Sequence, residues 1–225
     1  MHVTQKTIIF DCDGVLVDSE IIYNAIVRKH LAKIGLTYTN SEYLERFMGL
    51  THEDYIYELG ADYKAKYSKV FPADYEIIVT KESSIAYESD LKEIEGAASF
   101  IGTLKTPSAV ASSSKLETLH RKLELTGLKK FFGSHIYSGE QVPRGKPSPD
   151  IFLYAAKQLG IPPKQCVVIE DSPNGVVAGL NADMEVWGFI GGGHTDSNTS
   201  ARLSAAGATK IFGSFSSLFN YIHKP

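Results

Sequence analysis

The chain reads as an α/β protein: a Rossmann-like parallel sheet with helices on both faces, plus an inserted all-helical domain. Three observations predict this. Short runs such as Thr7-Ile8-Ile9-Phe10 and Cys166-Val167-Val168-Ile169 are apolar throughout rather than alternating, as strands buried on both faces are. From about Leu91 onward such runs alternate with stretches of helical period, which implies parallel strands joined by crossovers. Between residues 19 and 89 no strand signal interrupts the helical patterns. That block is therefore an insertion after the first strand. The expected boundaries are 1–17 and 90–225 for the sheet-bearing part and 18–89 for the helical one.

Taken in order, the first strand is followed by a helix from Ser19 to Ile34, with Ile22, Ala25, Ile26 and Leu31 on its apolar stripe and Gly35 as its stop. Thr39 to Met48 is a second helix, with Asn40 or Ser41 as N-cap. A third opens near Thr51 and runs through Leu59, and Asp62 to Val70 and Tyr75 to Ser89 complete the block. Its many tyrosines are expected to pack between helices with their hydroxyls in water. Beyond it, Ser108-Ala109-Val110-Ala111 is a strand ending in three serines, and Lys115 to Thr126 is a helix stopped at Gly127. His135-Ile136-Tyr137 is a short strand. A Pro- and Gly-rich loop from Gln141 to Asp150 carries Lys146, and Pro149 opens a helix ending near Leu159-Gly160. After the Cys166 strand comes Glu170-Asp171-Ser172, then a helix from Asn174 to Ala182 and a strand from Glu185 to Phe189. A loop containing Gly191-Gly192-Gly193-His194, a helix from Asn198 to Ala206, a strand from Thr209 to Phe212 and a helix from Ser216 to Tyr221 close the chain.

With 225 residues and 43% of them hydrophobic, there is ample material for a core of one or two domains. A formal net charge of −3 gives no basis for binding nucleic acid or an acidic membrane surface. No run approaches the roughly 20 apolar residues of a membrane helix, and Met1 to Lys6 lead into the first strand without a signal-peptide pattern. Two cysteines, Cys12 and Cys166, both in strand-like surroundings, read as buried thiols of a cytoplasmic protein rather than a disulfide framework.

Ligands of an open parallel sheet bind at the carboxyl ends of its strands. This sequence places Asp11 and Asp13 after the first strand, Ser112 after the second, Lys146 before a helix, and Glu170 and Asp171 after the Cys166 strand. Acids spaced i, i+2 point to one side, an expensive arrangement unless a cation or the chemistry needs it. Each feature has a plainer use. The acids could form turns, Asp18 could cap the next helix, the serines from Ser112 to Ser114 could be helix caps, Lys146 could be solvated, and the glycine loop could be merely flexible. Gly139 to Lys146 is no P-loop, because its spacing is one too long and Pro147 stands where Ser or Thr is required. Neither cysteine has an Arg six residues on, as a cysteine phosphatase would need.

The succession Asp-x-Asp-Gly-x-Leu-x-Asp at 11–18, a strand-end Ser, Lys146-Pro147 and Glu170-Asp171-Ser172 closely resembles the haloacid dehalogenase superfamily, from Ile8 to about Gly193. It is most similar to the phosphatase and β-phosphoglucomutase-like branch, whose helical cap the insertion resembles. The resemblance implies a Mg²⁺-dependent phosphatase acting on a small phosphate ester such as a sugar phosphate. Asp11 would be the nucleophile and a metal ligand, and Asp13 the general acid and base, with its carbonyl on the metal. Asp171 would complete the metal set with Glu170 close by. Ser112, Ser113 and Lys146 would hold the phosphoryl group. Ser19, Tyr23, Gly49 and His52 become candidates for substrate contact in the cap, and His194 for a place on the rim of the site. Tyr23 stands where a mutase of this branch would carry His, and His52 where it would carry Arg, so the phosphomutase alternative is the weaker one. A receiver-like binding module would have no helical insertion after its first strand. A monomer or weak dimer with no nucleic acid or membrane partner is expected.

Overall fold

The computed structural model describes residues 6–47, 50 and 52–224, the side chain of His52 excepted. The chain divides into two compact units, Met1–Glu20 with Leu91–Pro225, and Ile21–Asp90.

The first unit holds six parallel strands: β1 (Thr7–Phe10), β2 (Ala109–Ser112), β3 (Ile136–Ser138), β4 (Cys166–Glu170), β5 (Glu185–Phe189) and β6 (Lys210–Phe212). Their spatial order is β3-β2-β1-β4-β5-β6. The winding direction reverses between β1 and β4, the place where such sheets bind ligands. Ile9 pairs with Ala109 on one side and with Val168 on the other, so the segments that leave β1, β2 and β4 emerge next to one another.

Alternation along the strands builds two cores. On one face Ile9, Ala109, Ala111, Val168 and Val186 pack with Ile151, Phe152 and Ala155 of the helix Asp150–Leu159, Val176 and Ala178 of Pro173–Asn181, and Leu203 of Thr199–Ala205. On the other face Phe10 meets Phe100 edge-on at 6.3 Å, and Phe189 and Phe100 both reach Phe215, at 4.9 and 5.4 Å. Those rings join the sheet to the helices Ala97–Ile101 and Phe215–Ile222. Burying an aromatic or branched side chain contributes about 1.5–3 kcal/mol each, which explains why strands of three to five residues suffice. Helix Leu116–Leu125 packs on β3 and buries Leu119 and Leu123.

The second unit is helical. In chain order the helices are α1 (Ser19–Lys33), whose first turn belongs to the first unit, α2 (Asn40–Phe47), α3 (His52–Tyr67) and α4 (Tyr75–Asp90). In the first unit α5 (Ala97–Ile101), α6 (Leu116–Leu125), α7 (Asp150–Leu159), α8 (Pro173–Asn181), α9 (Thr199–Ala205) and α10 (Phe215–Ile222) follow. The helical unit's core is built on Val27, Leu31, Leu44, Phe47, Leu59 and Val79. Two details differ from expectation. α3 is one helix, although the residue pattern predicts separate segments meeting at Gly60. A mid-helix glycine costs only about 1 kcal/mol, and the buried Leu59 beside it holds the helix together; the turn comes later, at Ser68 with φ 53. The tyrosine hydroxyls are not all given over to water either. Tyr43, Tyr55 and Tyr75 form a chain, Tyr43 donating to Tyr55 at 3.2 Å and Tyr55 and Tyr75 lying 2.9 Å apart. A hydroxyl withdrawn from water needs such a partner.

Candidate active site

β1 ends by handing its next amide, that of Asp11, to the carbonyl of Ile169 in β4 at 2.9 Å. The chain then folds tightly. The Cys12 carbonyl accepts from Leu16 and Val17 at 2.8 and 3.1 Å, and Gly14 donates to Val17 at 2.9 Å. Gly14 adopts φ 74, a left-handed conformation open to glycine at little cost. This turn sends Asp11 and Asp13 toward different partners. Cys12, fully buried, has its thiol pushed well up by burial and by the acids beside it, which disqualifies it as a nucleophile.

Asp11 faces Lys146. The lysine Nζ donates to Asp11 Oδ1 at 2.5 Å, to Glu170 Oε1 at 2.7 Å and to the Ala111 carbonyl at 3.1 Å. It also lies 4.8 Å from the centroid of the Phe152 ring. Burial, and then repulsion from Glu170, Asp171 and Asp13, raise the Asp11 carboxyl well above the usual range, with Lys146 opposing. Lys146 is itself raised, because the attraction of Asp11 and Glu170 outweighs its burial. One ammonium thus serves a group of buried acids, leaving an excess of negative charge at this end of the sheet.

Asp13 occupies a cradle of donors. Ser19 Oγ donates to its Oδ1 at 2.5 Å, and Ser114 and Ser112 donate to Oδ2 at 2.7 and 3.2 Å. Lys122, from α6, closes on Oδ1 as an ion pair. Burial works against the charge, yet Lys122, Ser19 and Ser114 hold the Asp13 carboxyl down at about 2. Ser19 therefore bonds to the acid, a more specific role than a substrate contact. Ser114 and Lys122 escape the sequence reading. The trace of Lys122 is a lysine placed among Leu119 and Leu123 on the buried face of an amphipathic helix.

The Glu-Asp-Ser run divides its labour. Glu170, 1% exposed, is held by the protein at both oxygens: Oε1 accepts from Lys146, and Oε2 accepts from the amide and hydroxyl of Ser172, both at 2.9 Å. Ser172 caps α8 through the amide of Gly175 at 3.1 Å. Asp171 turns to the other side, where His194 Nε2 meets its Oδ2 at 2.9 Å. Burial raises the Asp171 carboxyl, and His194 opposes this. His194, in turn, is lifted to about 9: burial disfavours its charge, but Asp171 outweighs burial. Asp18, a candidate helix cap, accepts from the amide of Gly193 at 3.1 Å and so ties the glycine loop to the β1 turn. Glu20 stands nearby. Burial, then repulsion from Asp13, push its carboxyl up to about 7.

Asp11, Asp13, Ser112, Lys146, Glu170 and Asp171 are thus brought to one edge of the sheet. Ser113 is exposed beside them. Tyr23 packs against the core of the helical unit. His52 begins α3, but its side chain, like Gly49, lies outside the described residues. Among the described residues no three acid, thiol or imidazole side chains form a metal-ligating cluster. What remains still suits Mg²⁺. The ion is commonly held by only one or two carboxylates plus waters. Asp11, buried, and Asp171, half-buried, are such a pair, repelling each other, and the Asp13 carbonyl is a third hard oxygen.

The pattern of the haloacid dehalogenase-like hydrolase family matches residues 8–189. The chain is 27% identical over 189 residues to 6-phosphogluconate phosphatase of Escherichia coli, covering 84% of each protein. It is 29% identical to a phosphorylated carbohydrates phosphatase of Thermotoga maritima, covering 92% of this chain and 94% of that one. Among solved structures, a haloacid dehalogenase-like protein of unknown function from Agrobacterium tumefaciens shares 36% identity with a TM-score of 0.87, over 95% of each chain. A family hydrolase from Deinococcus radiodurans, solved with bound phosphate and sodium, shares 36% identity with a TM-score of 0.81, over 97% of this chain and 95% of that one. Since the likeness runs from the first strand to the end of β5 and takes in the loops that carry the acids, this chain belongs to the haloacid dehalogenase-like hydrolase family.

Proposed function

We propose that this protein is a Mg²⁺-dependent phosphatase of small phosphorylated metabolites, sugar phosphates foremost, working through an aspartyl-phosphate. The observation that carries this reading is that two acids in one turn have separate partners, Lys146 for Asp11 and Lys122 with three hydroxyls for Asp13. Asp11 is raised in a crowded, lysine-bridged site and Asp13 is held at about 2 in a cradle of donors. Bound Mg²⁺ would favour the ionised form of Asp11 that a nucleophile needs, and Asp13 serves as an acid only after it takes up a proton.

Asp11 attacks phosphorus, and the bond from phosphorus to the leaving oxygen breaks. Lys146 neutralises charge as the phosphoryl group is transferred. Asp13 protonates the leaving alkoxide, then as a carboxylate takes a proton from the water that attacks the phospho-aspartate, freeing Asp11 and inorganic phosphate. In its cradle Asp13 is a carboxylate, the form the second step uses; to deliver a proton in the first it must loosen from Lys122 and the serines and take up a proton from solvent. Bound through Asp11, Asp171 and the Asp13 carbonyl, Mg²⁺ would offset repulsion between the carboxylates and the phosphate dianion. The names of the phosphatases to which the chain is similar, for 6-phosphogluconate and for phosphorylated carbohydrates, support sugar phosphates as the substrate class. Two buried thiols suit a reducing compartment such as the cytoplasm, and no helix among the described residues is long and apolar enough to cross a membrane. We take the working unit to be a monomer or weak dimer.

The test is a screen of phosphorylated metabolites read by phosphate release, with Mg²⁺ and with EDTA. Release from sugar phosphates without a bisphosphate activator, abolished by EDTA, is expected. Turnover that resists EDTA overturns the metal, and isomerisation without phosphate release establishes the mutase instead.

A further inference from the structure

Outside the acids assigned above, the most elaborate construction at this edge of the sheet surrounds His194. Its side chain is 6% exposed, and Nε2 lies 2.9 Å from Asp171 Oδ2. The other nitrogen, Nδ1, is buried with no hydrogen-bond partner among the described residues. The ring thus forgoes one hydrogen bond to make the other, which is the reverse of what a ring placed only for packing would do.

Two loops are shaped around this contact. A Cβ on Gly14 would stand 2.0 Å from Asp171 Oδ2 and 2.5 Å from His194 Cε1. A Cβ on Gly192 would lie 2.8 Å from both His194 Cε1 and His194 Nδ1. Glycines from the β1 turn and from the loop after β5 therefore open the slot in which the ring meets the carboxylate. Asp18 holds that second loop against the β1 turn through Gly193. The result is one carboxylate oxygen of Asp171, Oδ2, committed to imidazole, while no described side chain is seen to bond the other, Oδ1.

We propose that His194 is a positioning residue of the cation site, fixing the rotamer of Asp171 through its Nε2–H so that a single carboxylate oxygen is presented to Mg²⁺. Among the described residues no side chain other than His194 is seen to bond the Asp171 carboxylate. Groups that orient a metal's carboxylate ligand typically change affinity by about 10- to 100-fold when removed. This inference rests on the reading of Asp11 and Asp171 as cation ligands.

The test compares His194→Gln, whose amide reaches the place of Nε2, with His194→Asn, whose amide stops at the place of Nδ1. Mg²⁺ alone is titrated into the full chain by calorimetry at one pH, without substrate. His194→Asn is expected to raise the Mg²⁺ dissociation constant by about 10-fold or more. His194→Gln is expected to stay within about 3-fold of the wild type. Equal, wild-type binding by both variants overturns the inference. Equal weakening of both overturns it too, because the ring's shape and not its donor would then matter. If the wild-type chain itself binds no Mg²⁺, the cation reading fails, and that outcome is separate from either result with the variants.

Discussion

Lys122 reaches from the middle of α6 to Oδ1 of Asp13, an ion pair whose lysine side chain is 6% exposed and whose members are 109 residues apart. A buried pair of this kind is weak evidence for stability, since desolvation offsets the attraction. Its consequence lies in the state it imposes. Asp13 cannot hold a proton while Lys122 and three hydroxyls donate to it.

Lys122→Met is expected to raise the Asp13 carboxyl toward the ordinary range and to slow turnover by about 10²-fold, the usual scale for losing control of an acid–base group. The depressed carboxyl of Asp13 contributes stability that is present above the unfolded value near 4 and is lost as pH falls toward about 2. The shift is worth on the order of 2 kcal/mol. The gap in Tm between wild type and Lys122→Met should therefore be wide at pH 6 and narrow at pH 2.5. A gap that does not change with pH would contradict the pairing.

Asp11→Asn removes the proposed nucleophile, and turnover should fall by at least about 10³-fold. The metal-free protein should not suffer. Asp11 is a raised acid among like charges, so its ionised form opposes folding at neutral pH. A Tm equal to or a few degrees above the wild type in EDTA is expected; a clear loss of stability would show that the pair with Lys146 outweighs the crowding.

Lys146→Met strands Asp11 and Glu170 without their shared cation. A loss of about 3–5 kcal/mol at pH 7.5 is expected, together with about 10²–10³-fold in turnover. Asp11, no longer held down by the lysine, would then take up a proton more readily, so the deficit should shrink by pH 5. Urea unfolding of Lys146→Met with and without Glu170→Gln checks this, and the double variant should recover part of the stability.

Gly175→Ala tests the packing behind Lys146. The new Cβ would fall 1.7 Å from Glu170 Oε1, so the carboxylate would have to leave either the lysine or the α8 cap. Activity and stability should fall together, by about 10-fold and about 1–3 kcal/mol. An unchanged melting curve would mean that α8 shifts freely.

The strands were legible because each is a short apolar run, and the acids after β1 and β4 because motif residues adjoin those runs in the chain. Six strands and the helices α6 to α10 fall within a residue or two of the sequence reading. The i, i+2 spacing alone sets Asp11 and Asp13 at one strand end, and Glu170-Asp171-Ser172 follows the next strand in the same way. Their partners are another matter. Nothing in the local sequence says that Ser19 and Ser114 share Asp13 with Lys122, that Glu170 spends both oxygens on the protein, or that Asp171 meets His194. A donor's worth depends on what stands 3 Å from it, and that distance is set by how β1, β2 and β4 lie side by side. Residue type and spacing thus determined the fold and the acids of this protein; the tertiary structure decided which of those acids is crowded, which is cradled, and which meets a histidine, because those distances are set between segments far apart in the chain.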